Sequence, residues 1–147
     1  MGRFDEWLEM LRREPQQRKK PDDEEHRLQV DCVKWFAIQY PAYYRQGALF
    51  AVPNGGRRDK LTGARLKAEG VQPGVADLVL LKPTARYHAL FIEMKTAEGR
   101  QRDTQKHWQA NVTADGYRYE VVRSLQQFVT VVKAYMAEYE TYNKSKI

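Results

Sequence analysis

Two apolar runs, ADLVLL (76–81) and ALFIEM (89–94), constrain the fold of this chain more than any other feature. Each is continuous and bounded by turn-forming residues, which is the pattern of a strand covered on both faces. Such strands need layers on both sides, and the rest of the sequence can supply them. ALFAV (48–52) predicts a strand before the pair and YRYEVV (117–122) one after it. Phe4, Trp7, Leu8 and Leu11 follow amphipathic helical spacing, ended by Pro15. A second helix runs from near Asp22 to about Tyr40, where Pro41 stops it. Its apolar set is Leu28, Cys32, Val33, Trp35, Phe36 and Ile38. Residues 59–69 form a short basic helix closed by Gly70, and a further helix spans about Arg102 to Ala114 with Gly116 at its C-cap. Ser124 with Gln127 fits a capping box opening the last helix, which carries Leu125, Phe128, Val129, Val132 and Met136. The order α-α-β-α-β-β-α-β-α predicts an α/β fold with a single mixed four-stranded sheet flanked by helices.

The chain has 147 residues, 42% apolar and 30% charged, enough for one domain with one core. Residues 1–20 read as an N-terminal helix and polar linker, 21–140 as the folded domain, and 141–147 (TYNKSKI) as a frayed tail. No apolar run approaches the roughly 20 residues of a membrane helix, and MGRFDEWLEMLRRE lacks the apolar centre of a signal peptide. The expectation is an intracellular protein with no membrane partner. The single cysteine, Cys32, excludes an internal disulfide and multi-cysteine zinc sites, and reads as a buried structural thiol. His26, His88 and His107 show no metal-binding spacing, and Trp35, Phe36 and Trp108 read as core fillers. With no P-loop and no GxSxG elbow, neither nucleotide hydrolysis nor serine chemistry has its parts, and no nucleotide cofactor is expected.

The net charge of +6 suits a polyanionic partner. Its distribution says more. Arg57, Arg58, Lys60, Arg65 and Lys67 lie close together, opposed there only by Asp59, and Arg100, Arg102 and Lys106 form a second group. In PNGGRR, Asn54, Gly55 and Gly56 permit positive φ and expose backbone N–H groups, while Arg57 and Arg58 add fork-like donors for phosphate oxygens. Taken alone, the segment reads as a solvated surface turn.

Three ionisable residues interrupt or bound the two most apolar strands: Asp77, Glu93 and Lys95. Glu93 and Lys95 point to one face of a strand and Met94 to the other. KPTARYH (82–88) supplies a turn, and centring it near residues 85–86 sets Asp77 opposite roughly residues 93–95. Two carboxylates held together in an apolar site repel, and an unpaired buried charge costs several kcal/mol. A hard divalent cation such as Mg²⁺ resolves both problems, taking one or two carboxylates with waters and a phosphate. Lys95 suits a developing negative charge. On spacing alone, a strand-end Asp–Lys or Glu–Lys ion pair accounts for the triplet as well.

GVADLVLL (74–81) and IEMK (92–95) together resemble the PD-(D/E)XK nuclease superfamily, whose proline is here replaced by Ala76. More narrowly, the chain resembles a stand-alone VRR-NUC domain, the virus-type replication–repair nuclease. The likeness runs from about Glu25 to Phe128, through EHRLQVDCVKWF, VPNGGRR, RLKAEGVQPGVADLVLL, FIEMKTAEGRQRDTQKHW and GYRYEVVRS. It implies a restriction-endonuclease-like core and hydrolysis of DNA phosphodiesters to a 5′-phosphate and a 3′-hydroxyl. By the same resemblance, Asp77 and Glu93 hold Mg²⁺ or Mn²⁺ with the Met94 carbonyl, and Lys95 orients or activates the hydrolytic water. Glu25 matches an acidic residue of the family's first core helix, with Glu24 as a substitute, although Asp22-x-x-Glu25 also fits a helix capping box. Gln105 matches a glutamine after the lysine, where a carboxamide could hold water or phosphate. The basic residues Arg57, Arg58, Lys60, Arg65, Lys67, Arg100 and Arg102, with Asn54, Gly55 and Gly56, become candidate DNA contacts. Stand-alone members look like junction-resolving dimers, so the resemblance implies a homodimer acting on branched DNA such as four-way (Holliday) junctions, in repair, near the nucleoid. Two other readings use the same core: a non-catalytic nucleic-acid-binding module and a sequence-specific restriction-type endonuclease.

Overall fold

In the computed structural model, which describes residues 21–53 and 60–146 together with Gly2, Asp5, Glu6 and Glu9, the two apolar runs pair as the central strands. The elements are α1 (Pro21–Gln39), α2 (Pro41–Arg45), β1 (Leu49–Ala51), α3 (Lys60–Ala68), β2 (Leu78–Leu80), β3 (Leu90–Met94), α4 (Asp103–Ala114), β4 (Arg118–Val122) and α5 (Leu125–Ser145). The strands form one sheet in the order β1-β2-β3-β4. β1 and β2 pair antiparallel, as do β2 and β3, while β3 and β4 run parallel. A parallel pair needs a crossover, and α4 provides it. The sheet is therefore mixed and four-stranded, with helices on both faces, as the alternation of patterns implies.

Strand alternation divides the buried residues between those faces. Leu78, Leu80, Leu90, Ile92, Met94 and Val122 join Cys32 and Phe36 of α1 and Phe128, Val132, Tyr135 and Met136 of α5 in one core cluster. Truncating one of these to alanine would cost about 2–5 kcal/mol. Trp35 of α1 meets Phe128 edge-on, at 5.9 Å between ring centroids. On the opposite face, Trp108 of α4 lies 4.8 Å from the ring of Phe91 and 6.0 Å from that of Tyr119. Burial pushes the Cys32 thiol up to about 12, which leaves it inert.

The structure departs from expectation in three places. Pro41 ends α1 but also starts α2, occupying a first-turn position where its missing N–H is no loss. The last helix continues to Ser145, through residues expected to fray. The capping box at its start is stretched: Ser124 Oγ accepts from the Gln127 N–H at 3.1 Å, while Gln127 Oε1 accepts from the N–H of Arg123 at 2.7 Å. Gly116, at φ 91°, follows α4 as its composition suggests. The apolar face of the N-terminal helix, the linker and Asn54–Arg58 lie outside the described residues. Among the described residues no helix is long and apolar enough to cross a membrane.

Candidate active site

Asp77 directly precedes β2 and Glu93 lies within β3. The register pairs Leu78 with Ile92, so one step further along the ladder Asp77 stands opposite Glu93. This end of the sheet opens into a cleft of about 710 Å³. Glu25, His26 and Gln29 of α1 line it, as do Val52 and Pro53 after β1 and the loop Pro73–Val75. Asp77, Glu93, Met94, Lys95, Arg102, Thr104 and Gln105 complete the wall.

Glu93 is 2% exposed and Lys95 5%, which is unusual for charged groups and demands partners. Lys95 Nζ lies 3.9 Å from Glu93 Oε1. The same oxygen accepts from Gln105 Nε2 at 2.8 Å, and Glu93 Oε2 accepts from the Tyr119 hydroxyl at 3.3 Å. Asp77 Oδ2 accepts from the Met94 N–H at 2.7 Å, tying one carboxylate to the strand that carries the other. Burial raises the proton affinity of Asp77, against the Met94 hydrogen bond and the charges of Lys95 and Arg102. Burial first, and the neighbouring Asp77 second, push Glu93 up to about 8. Two acidic oxygen donors that resist ionisation side by side fit a hard divalent cation better than they fit each other.

The backbone that presents these groups is tightly braced. Gly74 has φ +83°, and a Cβ there would stand 2.3 Å from the Thr104 carbonyl oxygen, so only glycine lets this loop press on the first turn of α4. Gln105 lines the cleft from the first turn of α4. It is buried, not exposed, and its Oε1 accepts from the Arg102 N–H at 2.8 Å while its amide donates to Glu93. Its carboxamide thus closes the helix start and fixes a carboxylate. Arg123 carries no signal in the sequence, yet its Nη1 donates to the carbonyls of Thr96 at 2.8 Å, Gly99 at 2.5 Å and Ala97 at 3.5 Å, gripping the loop after Lys95.

Glu25 is half-buried on α1 and lines the cleft, whereas Glu24 is exposed and does not. The described part of α1 begins at Pro21 and takes in Asp22 and Glu25. Among the described residues no three His, Cys, Asp or Glu side chains converge closely enough to hold a metal between them. The carboxylates that face one another are Asp77 and Glu93. Of the basic candidates, Arg102 lines the cleft; Arg65, Lys67 and Arg100 are exposed outside it, Arg65 being 3.7 Å from Glu69. Asn54, Gly55, Gly56, Arg57, Arg58 and the side chain of Lys60 fall outside the described residues. His26 and Gln29 line the cleft without any signal in spacing that marks them.

A solved structure named as a VRR_NUC domain protein shares this fold, with a TM-score of 0.66 and 21% identity over 83% of this chain and 93% of its own. No curated protein sequence matches the chain. The VRR-NUC domain profile matches residues 23–126, from the start of α1 to the start of α5 and across every wall of the cleft. The chain belongs to the VRR-NUC domain family, a family of nucleases.

Proposed function

We propose that the protein is a metal-dependent DNA endonuclease that cuts branched DNA, with Asp77, Glu93 and Lys95 as its catalytic groups. The observation that carries the reading is the meeting of a buried carboxylate, Glu93, and a half-buried one, Asp77, across the β2–β3 ladder, with a buried lysine 3.9 Å from Glu93. An ion pair alone needs one carboxylate, and the second adds only repulsion unless a cation is bound. Asp77 and Glu93 would hold Mg²⁺ or Mn²⁺, with the Met94 carbonyl and, across the cleft, Glu25 available to it or to its waters. Bound there, the cation supplies charge that polarises a phosphate and lowers the proton affinity of water.

The chain's own residues do the rest. Gln105 and Tyr119 fix the Glu93 carboxylate, and the Met94 N–H fixes that of Asp77. Lys95 presents a positive charge towards the negative charge that grows as a phosphodiester is hydrolysed. Arg102, at the N-terminus of α4, offers donors to phosphate oxygens. Arg57, Arg58, Lys60, Arg65, Lys67 and Arg100 extend the sequence-independent grip on the backbone. Resolving a four-way junction takes two symmetric incisions, so the active species is a homodimer with two-fold symmetry.

The test is cleavage of duplex, flap, single-stranded and four-way DNA with Mg²⁺, Mn²⁺ or EDTA, alongside Asp77→Asn and Lys95→Ala. Metal-dependent cutting that prefers the junction and vanishes in both variants is expected. No cleavage of any substrate, or cleavage untouched by the variants, would defeat the active-site assignment. Equal cutting of plain duplex would defeat the preference for branches, and a monomer in sedimentation at micromolar concentration would defeat the dimer.

A further inference from the structure

We infer that Tyr119 and Gln101 are positioning residues for Glu93 and set how tightly the Asp77–Glu93 pair takes up a divalent cation. The inference rests on the nuclease reading above and extends it to residues that carry no charge and line no part of the cleft. Tyr119 lies on β4, paired with Phe91 in the parallel register, so it shares a face with Glu93 from the neighbouring strand. It is buried, and its ring packs against Trp108 of α4.

The hydrogen bonds along this line have one direction. Gln101 Nε2 carries two protons, and its partners are Gln109 Oε1 at 2.9 Å and the Tyr119 hydroxyl at 3.3 Å. Gln109 accepts with its carbonyl oxygen, so the Gln101 amide is fixed as the donor end. The Tyr119 hydroxyl has one proton of its own. Accepting from Gln101 leaves that proton to point at Glu93 Oε2, where it donates at 3.3 Å. Gln105 holds the other oxygen from α4. The carboxylate is thereby gripped from two elements, and its remaining lone pairs are aimed rather than free to rotate.

Partners of this kind typically change metal affinity about 10–100-fold when removed, because they orient the ligand before the cation arrives. Tyr119→Phe deletes the hydroxyl and keeps the ring against Trp108. Gln101→Ala leaves the hydroxyl but no longer directs its proton.

The experiment is calorimetric titration of the metal-free protein with Mn²⁺, with urea unfolding to verify the fold of each variant. In parallel, cleavage rate is followed against Mn²⁺ concentration. Tyr119→Phe should weaken Mn²⁺ binding roughly tenfold and raise the half-saturating Mn²⁺ concentration to match, with kcat at saturating Mn²⁺ little changed. Gln101→Ala should shift both in the same direction by less. The double variant should be no weaker than Tyr119→Phe, since both act through one hydroxyl. Unaltered Mn²⁺ affinity in Tyr119→Phe, or a Gln101→Ala effect that persists in full without the hydroxyl, would overturn the inference and leave the nuclease assignment standing. A wild-type protein that takes up no Mn²⁺ would overturn both.

Discussion

Replacing Glu93 with glutamine should stabilise the metal-free protein at alkaline pH, although it removes a residue proposed as catalytic. Burial and Asp77 raise Glu93 from its ordinary 4.5 to about 8, and burial raises Asp77 in the same direction. A group with a higher pKa folded than unfolded binds more protons in the folded state. Its contribution to stability is whole below the unfolded value and is lost as the pH climbs through the folded one. For Glu93 that window runs from 4.5 to about 8. At about 1.4 kcal/mol per pH unit the ceiling is about 5 kcal/mol. Water entry and structural relaxation bring the expected loss down to about 1–3 kcal/mol. Glu93→Gln keeps the shape and an acceptor for Gln105, but it has no charge to lose. Urea unfolding in EDTA at about pH 5 and about pH 9 reads the difference directly. The wild type should lose stability across this range relative to the variant, and the variant should be the more stable of the two at the alkaline end. Adding Mn²⁺ should restore the wild type and leave the variant unmoved. A variant less stable than the wild type at both pH values would refute the argument that the paired carboxylates strain the metal-free fold.

Gly74→Ala forces a side chain to within 2.3 Å of the Thr104 carbonyl oxygen at φ +83°. It should destabilise the protein by about 1–3 kcal/mol or more, measured by urea unfolding, and should lower cleavage as the loop lifts from α4. Arg123→Ala removes the grip on the carbonyls of Thr96, Ala97 and Gly99. A cost of about 1–3 kcal/mol is expected, with faster amide hydrogen exchange over residues 96–100, and unchanged exchange would show the loop to be held by other means. Neutralising Arg57 and Arg58 together should weaken binding to every DNA sequence alike. The slope of log affinity against log salt should become shallower by about one unit for each phosphate that the pair no longer neutralises. An unchanged slope would place that segment away from DNA.

The antiparallel half of the site was legible in the sequence because a short turn sets its own register. KPTARYH joins β2 to β3, and counting outward from its centre brings Asp77 to Glu93 within a residue of the observed pairing. The parallel half was not legible. β4 reaches β3 through α4, and helix packing rather than turn length decides that Val121 stands opposite Glu93 and Tyr119 opposite Phe91. Tyr119 therefore reads from sequence as one more apolar strand residue, and nothing local marks it as a donor to Glu93. Gln105 was legible as a candidate, but its two bonds were not, since a carboxamide that bonds to both a backbone N–H and a carboxylate has no sequence signature. Arg123 escaped for the same reason: its acceptors are carbonyls more than twenty residues away, which any residue type can supply.

The β2–β3 pairing that closes the core also aligns the acids, and folding therefore proofreads chemistry. A one-residue slip of β2 would turn Leu78 and Leu80 out of the apolar layer and carry Asp77 into it. A two-residue slip keeps the correct face but moves Asp77 about 7 Å along the strand, and it also pulls Leu80 past its seat beside Leu90. Misaligned carboxylates thus come only with a damaged interior. Ordinary surveillance of unfolded chains would remove such molecules without any test of their activity.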